Sequence, residues 1–329
     1  MTDLVELPAE DRLQARHTLL ENAGWADAEV RPLAGDASLR SYQRLHLGSR
    51  TAVLMDAPPP LEDVRPFVSV ARWLTGHGLS APELYAVDER AGFILLEDLG
   101  DGLYGAELAA GADEGLLYEA AVDVLTGFQG HAAPGNTPIY DDDFLLMEAG
   151  YFTDWYLTRH LGQTVSEDQR AQFLGLWRDV LPGMNIGPRV LVLRDYHADN
   201  LLWLPDRAGP KRVGLLDFQD AMMGSVVYDL VSLARDIRRE VSDDIPDRLI
   251  RHYLSQTTLD GFDETAFRTA FAIAAVQRNT KIAGIFARLA YRDGKKQYLD
   301  YLPYVLELLK KDLAHPQLTD IRAMMSPFI

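Results

Sequence analysis

Three polar residues between positions 191 and 218 have the types and the spacing that phosphoryl transfer requires. Asp195 ends an apolar stretch, Asn200 follows five residues later, and Asp217 ends another apolar stretch. In magnesium-dependent kinases one carboxylate orients the attacking hydroxyl, while an amide and a second carboxylate hold the metal. Each residue alone would be an ordinary loop residue. Together they predict an ATP-dependent kinase in which Asp195 is catalytic and Asn200 and Asp217 bind Mg2+.

The surrounding pattern predicts the elements that must position this motif. Strands are expected in the first hundred residues and around the motif, at 39–47, 51–57, 84–88, 93–96, 190–195, 200–204 and 212–218. Helices are expected at 61–77 and beyond Asp101, at 106–131, 144–161, 166–181, 228–240, 244–257, 263–291 and 297–312. We therefore predict an α+β fold with two lobes. Residues 1–99 would form a small antiparallel-sheet N-lobe, and residues 100–329 a larger, mainly helical C-lobe.

Composition limits the classes of function. The 329 residues include no cysteine, which excludes disulfides, thiol catalysis and cysteine-ligated metal centres. The formal net charge of −17 disfavours nucleic acid and anionic membranes as partners. No apolar run approaches the roughly 18 residues of a membrane-spanning helix, and the first residues lack the apolar core of a signal peptide. We expect a cytoplasmic monomer that binds a small molecule, with no nucleic-acid or membrane partner.

Residues 35–38, Gly-Asp-Ala-Ser, lie between two predicted strands, where a kinase folds a loop over the nucleotide phosphates. The backbone N–H groups of this loop and the Ser38 hydroxyl would donate to phosphate oxygens, which makes Gly35 and Ser38 candidate nucleotide-binding residues. The same residue types are common in ordinary hairpin turns. The loop therefore points to a nucleotide only in combination with the phosphoryl-transfer motif.

The expected N-lobe lacks a residue that kinases ordinarily use. A lysine on the third strand usually reaches the phosphates, but Met55 stands near that place and the first lysine of the chain is Lys211. Either the protein binds nucleotide without catalysis, or arginine replaces the lysine. Arg40 and Arg44 share one face of a predicted strand, and guanidinium groups bind phosphate in a bidentate fork. A solvated outer face is the alternative for both arginines.

The motif Asp195-x-x-x-x-Asn200 followed by Asp217 resembles that of the aminoglycoside phosphotransferase and choline kinase superfamily, whose fold is protein-kinase-like. The resemblance covers most of the chain. It departs from the family at residues 193 and 194, which are Leu-Arg where many members carry His-Gly. The resemblance assigns a structural role to Asp229, which lies in a Tyr-Asp-Leu segment after the metal aspartate.

The same resemblance implies a nucleotide-binding hinge after the last strand of the N-lobe. In kinase-like folds the backbone of this segment bonds adenine, and the resemblance assigns that role to the Glu97 carbonyl and the Leu99 N–H. The acidic side chains of this segment could simply be solvated.

Segments outside the motif narrow the resemblance. Residues 35–42, 54–59 and 277–289 are similar to those of the bacterial amino-sugar anomeric kinases of cell-wall recycling. This similarity implies that ATP phosphorylates the anomeric hydroxyl of N-acetylmuramate and N-acetylglucosamine. Periodicity and composition do not themselves indicate the acceptor.

Candidate residues for the acceptor sugar lie on predicted helices and in the loop of the motif. Asp154 stands in an aromatic cluster at 151–156, whose alternative role is helix packing. Arg235 and Arg278 could supply a cation for the carboxylate of N-acetylmuramate, although Arg235 could equally belong to a charged helix end. His197 could bond substrate or backbone, and Asp195 would contact the acceptor hydroxyl directly.

Two other functions fit parts of the sequence. An acidic surface would suit a cationic substrate, as in an aminoglycoside or choline kinase, and a homoserine kinase of the same fold is a related possibility. The missing lysine would suit a pseudokinase that binds nucleotide without catalysis. The intact Asp195, Asn200 and Asp217 oppose the pseudokinase, and the arginines favour an acidic sugar.

Overall fold

The structure, a computed structural model, describes residues 6–33 and 39–329. It divides into two units. The first runs to Ala112 and also includes Asp199–Asp220, while the second consists of Asp113–Ala198 and Ala221–Ile329. The lobe boundary predicted from the sequence is instead at residue 99, with 199–220 in the second lobe. That segment belongs with the first unit because the Leu215 N–H donates to the Ser80 carbonyl and the Trp203 N–H donates to the Gly102 carbonyl.

The first unit is built on a five-stranded antiparallel sheet with the strand order β1-β2-β3-β5-β4. Its strands are β1 (Glu29–Pro32), β2 (Ser41–Leu47), β3 (Arg50–Asp56), β4 (Leu84–Asp88) and β5 (Phe93–Glu97). Strands β2 and β3 form a hairpin closed by Gly48, whose φ of 62° is readily adopted by glycine. The alternation of apolar and polar residues predicted this hairpin, and the structure agrees within two residues.

Helices pack against the strands of the first unit. They are α1 (Ala9–Asn22), α2 (Arg65–Gly76) and α3 (Tyr104–Ala109). Helix α2 buries an apolar stripe and begins four residues later than predicted, with Pro66 in its first turn. One core cluster joins Leu19, Trp25, Leu54 and Phe93. Helix α1, which the sequence analysis did not predict, contributes Leu19 and Leu20 to that cluster.

Two short strands in the first unit form the hairpin that carries part of the predicted motif. Strands β7 (Leu201–Trp203) and β8 (Val213–Leu215) pair antiparallel. Next to this ladder the Leu216 N–H donates to the Asn200 carbonyl at 3.0 Å. The hairpin thereby brings residue 200 close to residue 217.

The second unit is mainly helical. Its helices are α4 (Glu114–Phe128), α5 (Asp142–Tyr151), α6 (Glu167–Val180), α7 (Tyr228–Ala234), α8 (Ile245–Gln256), α9 (Glu264–Tyr291), α10 (Leu302–Asp312) and α11 (Thr319–Met325). Strands β6 (Val190–Val192) and β9 (Met222–Gly224) pair antiparallel. A π-helix, Phe152–His160, continues α5. None of the helices among the described residues is long and apolar enough to cross a bilayer.

Helix α9 is the central element of the second unit. It is 28 residues long and stays buried through most of its length, including the polar run Gln277–Lys281. It packs closely against the end of α5. A Cβ atom at Gly284 would lie 2.3 Å from the carbonyl carbon of Tyr151. Glycine therefore allows the two backbones to approach at this point.

Candidate active site

The predicted catalytic residues belong to both units, with Asn200 and Asp217 in the first. The Asn200 amide nitrogen lies 3.4 Å from one Asp217 carboxylate oxygen, and the Gln219 amide donates to the other at 2.6 Å. Asp217 has a φ of 56°, in the left-handed region that few non-glycine residues adopt. Such strain often accompanies functional positions. The residue after it, Phe218, stacks on Phe67 of α2 with ring centroids 4.8 Å apart, which fixes this end of the hairpin.

The chemistry of this pair fits a magnesium ion. Carboxylate and amide oxygens are the hard ligands that Mg2+ prefers, and Mg2+ usually takes one or two carboxylates together with phosphate and water. Among residues 6–33 and 39–329 no group of three or more His, Cys, Asp or Glu side chains is arranged to hold a metal. A metal held by Asn200 and Asp217 would therefore complete its coordination with phosphate and water.

Asp195 belongs to the second unit and follows strand β6. The preceding backbone is held by Asp229 of α7, whose carboxylate accepts the N–H groups of Leu193 at 2.7 Å and Arg194 at 2.9 Å. The Asp195 N–H donates to the Leu193 carbonyl at 2.9 Å, which makes a tight turn. These bonds give Asp229 the structural role that the resemblance implied. Full burial raises the pKa of Asp229 to about 7, while the two N–H donors oppose that rise.

His197 lies in the same loop and is 2% exposed. Burial first, and then the positive charges of Arg238 and Arg278, hold the pKa of His197 well below its usual range. The imidazole is therefore neutral at physiological pH, and it can give or take a hydrogen bond without carrying a charge. Asp236, which is fully buried, accepts the N–H groups of Ala198 at 3.3 Å and Arg238 at 2.9 Å.

The two predicted sugar-binding arginines have different surroundings. Arg278 is 3% exposed, and one of its nitrogens donates to the Arg235 carbonyl at 3.3 Å. Burial lowers the pKa of Arg278, with Asp236 and Asp195 among the groups that oppose the shift. Arg235 instead points its guanidinium at Asp312 of α10, with three contacts of 2.7 to 3.0 Å. This ion pair joins the end of α7 to α10.

Asp154 lies on the π-helix and is paired with α6. Its two carboxylate oxygens accept bonds from Arg170 at 2.7 and 2.9 Å, and the Thr153 hydroxyl donates to one of them at 3.0 Å. Neighbouring Phe152 and Tyr156 are buried and stack with ring centroids 4.8 Å apart. These contacts favour the packing alternative for the aromatic cluster.

On the nucleotide side, Gly35 and Ser38 lie outside the described residues. Arg40 precedes β2, and its Nε lies 3.0 Å from a Glu62 carboxylate oxygen. Arg44 contacts two carboxylates of the segment after β5, Asp98 at 2.9 Å and Asp101 at 2.8 Å.

The hinge segment and the position of the missing lysine are also defined. Met55 is buried in β3. The Glu97 side chain ends β5 and binds Arg207 at 2.5 Å, so this residue can offer its backbone rather than its carboxylate to a nucleotide. Leu99 follows two residues later and lies against Gly214 of β8.

Three charged residues lie beside the catalytic loop in roles that were not predicted from the sequence. They are Glu148, its partner Lys281, and Asp236. Glu148 is 3% exposed within the apolar run of α5. An acid surrounded by apolar residues on a helix is the signal that could have indicated a buried ion pair, because such residues are rarely buried without a partner. Asp236 gave no comparable signal, since it lies among charged residues in the sequence.

The fold and the site define a phosphotransferase with two lobes. A profile of the phosphotransferase enzyme family matches residues 29–268, and the chain belongs to that family. A choline/ethanolamine kinase family protein from Mesorhizobium loti has a similar structure, with a TM-score of 0.64 at 16% identity over 94% of this chain and 97% of the other. An aminoglycoside 2'-phosphotransferase-IIIa solved with GDP gives a TM-score of 0.62 at 14% identity, over 92% and 99% of the two chains. The predicted protein-kinase-like α+β fold is confirmed.

Relatives with higher identity have a more specific name. An N-acetylmuramate/N-acetylglucosamine kinase of Caulobacter vibrioides is 35% identical over 98% of this chain and 98% of its own length. Kinases of the same name from Pseudomonas aeruginosa and Neisseria meningitidis are 38% and 33% identical, over 92% and 87% of this chain and 90% and 86% of their own lengths. The predicted family and the prediction of a kinase are confirmed. As a kinase, the protein uses a nucleoside triphosphate and a divalent metal ion.

Proposed function

We propose that the protein is an ATP- and Mg2+-dependent kinase that phosphorylates the anomeric hydroxyl of N-acetylmuramate and N-acetylglucosamine in the recycling of cell-wall sugars. The similarity to kinases named for these two sugars carries this proposal. It extends over 98% of the chain and so covers both the catalytic loop and helix α9. Structures of choline and aminoglycoside kinases are similar in fold at only 16% and 14% identity.

Asp195 is the proposed catalytic residue. Its carboxylate orients the anomeric O–H and accepts the proton as the sugar oxygen bonds to the γ-phosphorus and the bond from that phosphorus to the bridging oxygen of ADP breaks. Deprotonation is late in a loose phosphoryl-transfer transition state, so a weak base suffices. An anomeric hydroxyl is more acidic than an ordinary alcohol, which reduces the demand further.

Asn200 and Asp217 are the proposed ligands of Mg2+. Bound Mg2+ offsets the negative charge of the transferring phosphate. The contribution of the chain is to hold the two ligands together: the β7–β8 hairpin keeps their side chains 3.4 Å apart, and Gln219 fixes one oxygen of Asp217.

On the nucleotide side, we assign Arg40 to the phosphates and the backbone of Glu97 and Leu99 to adenine. Arg44 is bound to two carboxylates, so we give it the role of holding the segment after β5. The Arg40 guanidinium contacts the Glu62 carboxylate at 3.0 Å. An ion pair between Arg40 and Glu62 would keep the guanidinium in place while it contacts phosphate. Gly35 and Ser38 remain proposed phosphate donors.

On the acceptor side, we assign His197, Arg278 and Arg238 to the sugar. His197 is neutral and can bond a sugar hydroxyl or the acetamido group. Arg238 is exposed and acts on His197 together with Arg278, so these two cations suit the carboxylate of N-acetylmuramate. Arg235 and Asp154 are less suited to this role because each is held in a side-chain ion pair.

We also propose a cytoplasmic monomer without a nucleic-acid or membrane partner, in which the first unit binds the nucleotide and the metal and the second unit binds the acceptor. The net charge of −17 supports the exclusion of anionic partners.

A coupled assay of ADP release tests the proposal directly. N-acetylmuramate and N-acetylglucosamine should be turned over at kcat/KM values at least a hundredfold above those for kanamycin, choline and homoserine. The product should carry its phosphate on the anomeric carbon, which 31P and 13C spectra of the purified sugar phosphate will establish.

Two controls sharpen this test. The methyl glycoside of N-acetylglucosamine, whose anomeric oxygen is blocked, should not be a substrate. Asp195→Asn should abolish turnover, whereas Asp206→Asn, in the exposed loop of the β7–β8 hairpin, should not. Turnover of the methyl glycoside, or faster turnover of choline or kanamycin, would contradict the proposed acceptor.

A further inference from the structure

A buried ion cluster lies in the second unit beside the catalytic loop. Its centre is Glu148 of α5, which is contacted by two cations: Arg194 Nη2 at 2.8 Å from one carboxylate oxygen and Lys281 Nζ at 3.4 Å from the other. The Tyr140 hydroxyl also donates to Glu148. We call Glu148, Arg194, Lys281, Tyr140 and Tyr228 the loop cluster.

Two tyrosine hydroxyls complete the loop cluster. Lys281 Nζ lies 3.0 Å from the Tyr228 hydroxyl and 3.4 Å from that of Tyr140, and the two hydroxyls are 3.0 Å apart. Both tyrosines are almost fully buried, and burial raises the pKa of Tyr140, which keeps that hydroxyl protonated as a donor. Lys281 is thus surrounded by oxygen atoms from α5, from α7 and from Tyr140 in the loop before α5.

Packing alone does not account for this arrangement. Ion pairs buried in proteins are often no more stable than apolar side chains of the same size. Glu148 and Lys281 come from helices α5 and α9, which pack against each other and also bury apolar residues such as Leu145 and Ala274. Because the two helices do not need these charges in order to pack, the loop cluster indicates that the residue it holds must be placed precisely.

The loop cluster holds Arg194, whose backbone N–H, carbonyl and guanidinium are all bonded. Its N–H donates to Asp229 at 2.9 Å, and its carbonyl accepts the Ser232 hydroxyl at 3.2 Å. Its guanidinium binds Glu148 and lies over the rings of Tyr140 and Phe144, 5.0 and 5.6 Å from their centroids. The cluster therefore anchors the side chain while α7 anchors the backbone.

The anchoring matters because Arg194 has an unfavourable backbone conformation. Its φ of 69° is left-handed, a conformation that costs an arginine free energy and that persists only when the surroundings hold it. The next residue is Asp195. A relaxation of Arg194 to an ordinary backbone conformation would rotate the following peptide and displace the Asp195 carboxylate.

We propose that Glu148 and Lys281 are positioning residues for catalysis: they hold Arg194 in its left-handed conformation so that Asp195 faces the acceptor hydroxyl. The inference rests on the proposed catalytic role of Asp195. Lys281 acts from α9 and Glu148 from α5, so two helices fix the position of the loop.

The test begins with Lys281→Met, which keeps a helix-forming side chain of similar length and leaves Glu148 paired with Arg194. We expect kcat to fall about tenfold or more, because a displacement near 1 Å can cost up to about a hundredfold. KM for ATP and for the sugar should change by no more than about twofold. Lys281→Arg should restore much of kcat. All variants are assayed at a temperature where circular dichroism shows them folded.

A matched pair of tyrosine variants separates positioning from loss of stability. Tyr228→Phe removes a hydroxyl from the loop cluster. Tyr253→Phe removes an equally buried hydroxyl that bonds Gln129, in the same unit but outside the loop cluster. We expect Tyr228→Phe to lower kcat severalfold while Tyr253→Phe lowers only the melting temperature. Equal kcat values in the two variants would overturn the proposal.

The Asp195→Asn variant distinguishes failure of this inference from failure of the proposed function. Full wild-type kcat in Lys281→Met, with Asp195→Asn inactive, would refute the positioning role alone. Substantial turnover in Asp195→Asn would instead refute the catalytic assignment on which it rests.

Discussion

Arg235 and Asp312 form a bidentate ion pair, with guanidinium-to-carboxylate distances of 2.7 to 3.0 Å and both side chains largely buried. The two cations that help to lower the pKa of His197 are instead Arg238 and Arg278. The two substrates of the proposed reaction differ by one lactyl group, which carries a carboxylate. We therefore expect Arg238, rather than Arg235, to distinguish N-acetylmuramate from N-acetylglucosamine.

Arg238→Gln should raise KM for N-acetylmuramate about tenfold and leave N-acetylglucosamine almost unchanged, because a hydrogen bond to a charged group is worth about 1.5–3 kcal/mol. Arg235→Gln should lower the melting temperature and change both substrates equally, because it leaves Asp312 buried without its cation. Steady-state kinetics with both sugars measure the ratio of the two KM values in each variant. A loss of discrimination in Arg235→Gln but not in Arg238→Gln would reverse the assignment.

The replacement of the phosphate lysine can be tested with two arginines. Arg40→Ala should raise KM for ATP or lower kcat by about tenfold or more, the effect of losing one charged hydrogen bond. Arg44→Ala should mainly lower the stability of the protein, because it removes the contacts with Asp98 and Asp101. Unchanged ATP kinetics in both variants would mean that neither arginine binds phosphate.

The metal site predicts a specific change in ion dependence. Asp217→Asn should weaken the response to Mg2+, so that the concentration giving half-maximal rate rises and kcat falls about a hundredfold or more, since metal ions supply several kcal/mol of charge stabilisation. Removal of divalent ions by EDTA should abolish wild-type activity. The exposed Asp206→Asn, in the same hairpin, is the control. A wild-type response to Mg2+ in Asp217→Asn would contradict the assignment.

The low pKa of His197 predicts how stability depends on pH. The unfolded chain has a histidine pKa of about 6.5, so below that pH the unfolded state binds more protons than the folded state. The contribution of the neutral buried histidine is then present above pH 6.5 and is lost as the pH falls, by up to about 1.4 kcal/mol per pH unit. Urea denaturation between pH 5 and 7 should show a shallower loss in His197→Gln. Equal slopes would mean that folding does not lower the pKa of His197.

The approach of α9 to Tyr151 predicts a cost for any side chain at residue 284. Gly284→Ala should destabilise the fold by about 1–3 kcal/mol, the typical result of overpacking. Gly175→Ala is a matched control on α6, where a Cβ would meet no atom within 4 Å. It should stabilise by about 0.4–1 kcal/mol, because alanine restricts the unfolded chain. Thermal denaturation measures both changes, and equal shifts would contradict the close approach.

Local patterns predicted much of the fold. Strand β4 was predicted to the residue, and β3 and β5 within one residue, because alternation and turn residues are local signals. The predicted helix 106–131 is instead two helices, α3 and α4, separated at Gly111, whose φ is 95°. The predicted helix 228–240 ends at Ala234, since Asp236 bonds the N–H groups of Ala198 and Arg238.

The site was predictable from the sequence where its residues lie close together along the chain. Asn200 and Asp217 are separated by a short hairpin that the turn residues indicate, so their proximity followed from the sequence. Ion pairs between distant elements did not follow, since Arg194 and Glu148 are 46 residues apart and Arg235 and Asp312 are 77 apart. Only the packing of the helices decides which charges meet, and no local signal encodes it.

The sheet of the first unit contains no lysine, and Met55 is buried near the position where kinases ordinarily place one. Reagents that identify nucleotide-binding enzymes by acylating that amine have no nucleophile to capture there. The protein would therefore escape activity-based profiling with acyl-phosphate nucleotides and covalent inhibitors directed at the same lysine. A probe for this kinase needs chemistry that reacts with arginine or carboxylate groups instead.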